Sequence, residues 1–265
     1  MQYIDCKAYA QEILDAVKNV ERKKELIILS MGDDPASQSY IKGKIKDCEY
    51  CGIPYCHIKT NTYESVERYI KWGNENENVG GIIVQLPLPD RDQESRLTNM
   101  IAPEKDVDGF VYGSHFKPCT PEGVVYILEK EFEKMSDCLA GKTALVIGRG
   151  KLVGRPLVDM LLEKDVTVQI AHSKTPETEL EKMIKDTDII VSAVGKPNLL
   201  NLKQCDAYCI IDVGVNRNKE GKLCGDCFGF DEVDMPYMRV SPVPGGMGLL
   251  TRAMLMRHMV SGLEI

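Results

Sequence analysis

Three groups of residues in this chain have types and spacings suited to chemistry. In Thr143-Ala-Leu-Val-Ile-Gly-Arg-Gly-Lys-Leu-Val-Gly154 an apolar run delivers the backbone into Gly148, Gly150 and Gly154, and an amphipathic segment follows over 155–163. Strand, tight turn and helix in that order aim unpaired N–H groups at a phosphate. The G-x-G-x-x-x-G spacing is one residue longer than the commonest dinucleotide fingerprint, so the glycines are suggestive rather than decisive. The strand expected at 167–171 ends in His172-Ser-Lys174, where NAD-selective sites usually carry a carboxylate for the ribose hydroxyl. The Ser173 hydroxyl and the Lys174 cation instead suit a ribose 2′-phosphate, with Arg149 as a second cation. This favours NADP over NAD; the plainer alternative is a solvated turn.

The third group is Tyr40 and Lys44, which stand at i, i+4 on one helix face in Ser37-Gln-Ser-Tyr-Ile-Lys-Gly-Lys44. A tyrosine beside a lysine combines ring stacking, hydrogen bonding and proton transfer, although a solvated helix face produces the same pair. The Y-x-x-x-K of short-chain dehydrogenases follows the nucleotide glycines, whereas here it precedes them, so that reading fails on order.

The elements that position these groups alternate. Strands are expected at 26–31, 55–59, 81–85, 143–147, 167–171, 189–193 and 209–213, and helices at 8–20, 37–52, 65–74, 97–101, 123–130, 155–163 and from 249 onward. Alternating strands and helices imply mostly parallel α/β sheets, and 265 residues exceed the usual single-domain size, so two lobes are expected. Residues 116–121 are the expected crossing between them.

Composition narrows the function classes. A formal charge of −7 argues against a general nucleic-acid binder, and no apolar stretch approaches the roughly 20 residues of a membrane span. The N-terminal residues lack the flank and apolar run of a secretory signal, which points to the cytoplasm. Ten cysteines then read as free, mostly buried thiols. Cys48/Cys51 and Cys224/Cys227 are C-x-x-C pairs, but they fall in different lobes and the first lies within an expected helix, so no zinc site is assigned.

Six motifs, in order and spread along nearly the whole chain, resemble one known family. They are Gly32-Asp-Asp-Pro-Ala-Ser-x-Ser-Tyr-x-x-x-Lys44, Val84-Gln-Leu-Pro-Leu-Pro89, Lys105-Asp-Val-Asp-Gly109, Gly148-Arg-Gly-Lys-Leu-Val-Gly-Arg-Pro156, Ile211-Asp-Val-Gly-Val-Asn216 and Pro242-Val-Pro-Gly-Gly-Met-Gly248. The chain resembles the bifunctional methylenetetrahydrofolate dehydrogenase/methenyltetrahydrofolate cyclohydrolases of the FolD type. The resemblance implies two α/β lobes around a cleft, the second a Rossmann-like dinucleotide-binding domain. The expected boundaries are 1–118 plus 249–265 for a folate-binding catalytic domain with a C-terminal helix, and 119–248 for the NADP domain.

The implied chemistry is NADP-dependent oxidation of 5,10-methylenetetrahydrofolate, followed by hydrolysis to 10-formyltetrahydrofolate, in one-carbon metabolism and purine biosynthesis. No metal is implied. Lys44 becomes the central residue of hydration, and because a free lysine with a pKa of about 10.4 is a poor base at neutral pH, its surroundings must matter. In the family pattern Gln85 pairs with Lys44, Tyr40 packs along the folate, and Asp108 bonds its pterin end. Asp106 is structural or supporting. Leu86, Pro244, Gly245 and Gly246 complete the folate contacts, the glycines by letting backbone approach closely. Gly148, Arg149, Gly150, Val153, Gly154, Ser173 and Val215 form the cofactor site. A homodimer through the nucleotide lobe is also implied.

The chain departs from the pattern at Gly150, often serine, and at Met247 and Leu249, where valine and proline are common. Loss of that proline is expected to loosen the adjacent loop. Two rival functions remain: a dehydrogenase without efficient cyclohydrolase activity, against which the intact Tyr40, Lys44, Gln85 and Asp108 set speaks, and a non-catalytic nucleotide or folate sensor.

Overall fold

The computed structural model describes residues 1–21 and 23–261. In chain order the elements are β1 (Gln2–Tyr3), α1 (Cys6–Lys18), β2 (Glu25–Met31), α2 (Pro35–Cys51), β3 (Tyr55–Thr60), α3 (Tyr63–Glu75), β4 (Val79–Val84), α4 (Asp92–Thr98) and α5 (Cys119–Lys134). They continue with β5 (Thr143–Ile147), α6 (Gly154–Leu162), β6 (Thr167–Ala171), α7 (Glu177–Lys185), β7 (Ile189–Ser192), β8 (Leu200–Asn201) and β9 (Cys209–Asp212). The last are β10 (Asn216–Arg217), β11 (Leu223–Cys224), β12 (Cys227–Phe228), β13 (Arg239–Val240) and α8 (Met247–His258).

The chain packs as two units. One comprises Gln11–Cys119 and the chain from Arg252 onward. Its sheet has the order β3-β2-β4, all parallel, with Leu29 opposite both Ile58 and Val84. Leu26 to Leu29 are wholly buried, as expected where helices cover both faces of a parallel sheet. Helix α2 has strong local start and stop signals. The Asp34 carboxylate accepts from Ser37 N at 2.7 Å, Pro35 opens the first turn, and Gly52 (φ 65°) closes the helix in the left-handed conformation.

The second unit comprises Met1–Ala10 and Thr120–Thr251. Its six-stranded sheet runs β1-β13-β9-β7-β5-β6, with every pair parallel. Leu145, Ile147, Ile190, Ile210 and Val240 build the core beneath it.

Several expectations shift. Residues 1–10, expected with the first lobe, pack with this second unit, where Gln2 and Tyr3 pair with Arg239 and Val240. The second crossing falls after Thr251 rather than before residue 249. Residues 262–265, the end of the expected C-terminal helix, lie outside the described residues. The helix expected at 97–101 ends at Thr98 and begins at Asp92, since Asp92 and Glu94 suit its first turn and Glu94 also accepts from Leu88 N. Helix α5 is longer than the expected 123–130, and α7 and the two-residue strands were not anticipated. Strands that short leave no periodicity to read.

Candidate active site

Helix α2 carries Tyr40 and Lys44 one turn apart, and the close of the Lys105-Asp-Val-Asp-Gly109 segment carries Asp108. Ile82 N of β4 donates to Lys105 O at 2.9 Å, which ties that segment to the sheet. Gly109 has φ 73°, and a β carbon on it would lie 2.4 Å from Lys117 O, so the turn that follows Asp108 admits only glycine. The result is a buried pair: Lys44 Nζ lies 4.0 Å from Asp108 Oδ2, with side chains 8% and 12% exposed.

Tyr40 is half-buried, and burial pushes its phenol above the ordinary range, with the Arg252 charge opposing that rise. Gln85 follows β4 and is buried; its amide nitrogen donates to Leu86 O at 2.8 Å, while Oε1 has no hydrogen-bond partner. The Gln85–Lys44 pairing implied by the resemblance is therefore not made through that oxygen here. Asp106 is almost wholly buried, accepts from Val111 N at 2.7 Å, and has its carboxyl pushed upward by burial. Lys105 caps the end of α3 through Gly73 O, Asn74 O and Asn76 O at 2.7–2.8 Å, a structural role. Leu86 is half-buried and precedes a cis peptide bond to Pro87.

In the second unit, Gly148 stands at the carboxyl end of β5, at the edge where open α/β sheets bind ligands. Its φ is 116°, and a β carbon would lie 2.4 Å from Ala193 O. At Gly154, which opens α6, a β carbon would lie 2.1 Å from Gly148 O. Backbone packing thus demands these two glycines. Gly150 has nothing within 4 Å of its would-be β carbon, so packing does not demand that one.

Arg149 and Gly150 are exposed, Val153 stands immediately before α6, and Val215 is 49% exposed beyond β9. Ser173 and Lys174 are exposed on a defined turn: His172 N donates to Thr175 Oγ1 at 2.9 Å and Lys174 N to the His172 ring at 3.2 Å. Open space at Gly150, a helix N-terminus beyond it and exposed cationic or hydroxyl groups fit a phosphorylated dinucleotide. Pro244, Gly245 and Gly246 belong to this same unit, with Pro244 in a cis peptide bond. Gly245 (φ 92°) faces open space, and a β carbon on Gly246 would lie 2.1 Å from Pro242 O.

Residues 4–108 match the tetrahydrofolate dehydrogenase/cyclohydrolase catalytic domain, and residues 118–265 match the NAD(P)-binding domain of the same enzymes. The chain belongs to the tetrahydrofolate dehydrogenase/cyclohydrolase family. It is 40% identical to the bifunctional protein FolD of Campylobacter hominis, over 98% of this chain and 96% of that one. The crystal structure of the bifunctional FolD enzyme from Campylobacter jejuni superposes with a TM-score of 0.89 at 36% identity, covering 98% of this chain and 97% of that one. A Trypanosoma brucei methylenetetrahydrofolate dehydrogenase-cyclohydrolase, solved with NADP cofactor and inhibitor, gives a TM-score of 0.87 at 29% identity over 97% and 95% of the two chains.

Against the family pattern, Leu249 supplies an N–H that proline lacks, and it donates to Gly246 O at 3.0 Å. Met247 is 3% exposed, with its methyl group close to Gly123. The position expected to loosen the loop thus adds a bond to it. Sequence reasoning missed Arg252, whose Nε lies 2.8 Å from Asp47 Oδ2 and whose guanidinium occupies the space beside Gly43. A β carbon at position 43 would meet Arg252 Nη1 at 1.8 Å, so the lone glycine inside α2 was the available signal. None of the ten cysteines is in a disulfide, and no cluster of three or more metal-ligating side chains occurs among the described residues.

Proposed function

We propose that this chain catalyses NADP-dependent oxidation of 5,10-methylenetetrahydrofolate to the methenyl cation and its hydrolysis to 10-formyltetrahydrofolate, in the one-carbon metabolism that feeds purine biosynthesis. Family membership supports the reaction pair, and the buried Lys44–Asp108 pair one turn from Tyr40 carries the assignment of chemistry to residues. NADP, when bound, supplies the hydride acceptor. The chain's part in that step is alignment, through Gly148, Arg149, Gly150, Val153, Gly154 and Val215 for the dinucleotide and Ser173 for its 2′-phosphate. Tyr40, Leu86, Pro244, Gly245 and Gly246 align the folate.

Hydration asks more of the protein. Water adds to the methenyl carbon and loses one proton. The carbon–nitrogen bond then breaks with its electron pair going to nitrogen, which takes the proton that the new hydroxyl gives up as it becomes the formyl carbonyl. One proton is released overall. Lys44 holds and moves the proton, Asp108 anchors both the lysine and the pterin end, and Gln85 Oε1 is a buried acceptor in need of a donor.

We assign Gln11–Cys119 and the chain from Arg252 onward to the folate domain and the glycine-loop unit to NADP. Assembly as a homodimer is supported by β6, an edge strand with three exposed residues, Ile170 among them. No helix among the described residues is long and apolar enough to cross a membrane, which is consistent with a cytoplasmic enzyme. The test is purified protein with methylenetetrahydrofolate and each nicotinamide cofactor, following methenyl formation and methenyl decay separately. Absence of turnover refutes the proposal; methenyl accumulation without accelerated decay reduces it to a dehydrogenase alone.

A further inference from the structure

Two wholly buried carboxylates, Asp212 and Asp226, stand behind the carboxyl ends of β7 and β9 and take no part in the chemistry above. Asp226 collects five donors. Its Oδ2 accepts from Ser192 Oγ at 2.8 Å, Val194 N at 2.9 Å and Gly195 N at 3.2 Å, and its Oδ1 accepts from Lys196 N at 2.8 Å and Asn216 Nδ2 at 3.0 Å. Asp212 holds Asp226 in turn, accepting from Asp226 N at 3.0 Å, Cys227 N at 2.8 Å and Gly214 N at 2.9 Å. Two glycines make room for this arrangement. A β carbon at Gly214 would lie 2.0 Å from Asp226 Oδ1, and one at Gly225 would lie 2.0 Å from Asp212 Oδ2.

One side chain therefore fixes the loops following two adjacent strands. Three consecutive N–H groups of the 194–196 loop turn inward onto a charge, and hydrogen bonds to charged groups are the stronger ones. That leaves Val194 and Val215 outward, 46% and 49% exposed at neighbouring strand ends. Val194 Cγ2 lies 3.5 Å from the would-be β carbon of Gly148, so this valine borders the first glycine of the nucleotide loop. Exposed valines held rigidly beside a dinucleotide loop are suited to a flat ring.

We infer that Asp226 is a positioning residue for the dinucleotide, holding Val194 and Val215 as an apolar contact pair against it. The inference rests on the NADP reading of this unit. Its test is NADP affinity by titration in wild type, Asp226→Asn, Asn216→Ala and Val194→Ser, with hydrolysis of supplied methenyltetrahydrofolate as a nucleotide-free control. Asp226→Asn turns an N–H toward other N–H groups, and the expected loss of NADP affinity is about tenfold or more. Asn216→Ala and Val194→Ser lose affinity on the order of threefold each. All retain methenyl hydrolysis within about twofold, because that step uses no dinucleotide. Wild-type affinity in the two milder variants overturns the inference even where Asp226→Asn fails to fold. An equal fall of hydrolysis and NADP affinity in all three makes Asp226 a fold residue only and also overturns it. Failure of the wild type to bind NADP refutes the reading of the unit itself.

Discussion

Lys44→Ala separates the two activities. At 4.0 Å the Lys44–Asp108 attraction is about 4 kcal/mol at an effective dielectric constant near 20. Desolvation of both buried groups offsets much of this, so truncation costs roughly 1–3 kcal/mol of stability, in part from leaving Asp108 unpaired. Hydration loses its proton carrier and falls by about 10²–10⁴-fold, the usual worth of a positioned acid or base. Hydride transfer needs alignment but no proton at Lys44, and falls by less than about tenfold. The assay follows NADPH formation from methylenetetrahydrofolate, and separately the decay of supplied methenyltetrahydrofolate, with urea denaturation run in parallel. Adding Asp108→Asn removes the stranded carboxylate and should restore stability without restoring hydration. Equal collapse of both activities in a folded, folate-binding variant would refute this division of labour, as would hydration surviving in Lys44→Ala.

Other outcomes follow from the same geometry. Gly154→Ala drives a β carbon to 2.1 Å from Gly148 O and should cost roughly 1–3 kcal/mol with weakened NADP binding, whereas Gly150→Ala meets nothing within 4 Å and should leave the melting temperature unchanged. A fall in NADP affinity for Gly150→Ala alone would show the ligand filling that space; unchanged affinity would place it elsewhere. Ser173→Asp should move the NADP/NAD ratio of kcat/KM toward NAD by about tenfold or more through repulsion of the 2′-phosphate, and an unchanged ratio would remove that contact. Burial raises the thiols of Cys6, Cys48 and Cys205 from 9.0 to about 12. Protection of these thiols therefore stabilises the fold fully below pH 9, and that contribution is lost as the pH rises toward 12. In native protein near pH 8 a thiol reagent should label exposed Cys138 rapidly and those three only on unfolding, so fast labelling of all four would contradict the buried arrangement.

Local chemistry determined much of what was legible. Apolar runs gave β2, β5, β7 and β9, and the start and stop signals of α2 gave the helix that carries Tyr40 and Lys44. The glycine loop was readable because the backbone around Gly148 and Gly154 leaves no room for a β carbon, so only glycine fits there. What tertiary structure alone decided involves partners distant in sequence. The placement of residues 1–10 rests on pairing between Tyr3 and Val240, and the Lys44–Asp108 approach depends on the tie between β4 and Lys105. Arg252 beside Gly43 and the five donors around Asp226 likewise join segments with no shared local pattern. Sequence fixes which residue types are available and where the backbone can turn. Which carboxylate meets which donor depends on packing that long-range contacts impose, and no short window of sequence contains it.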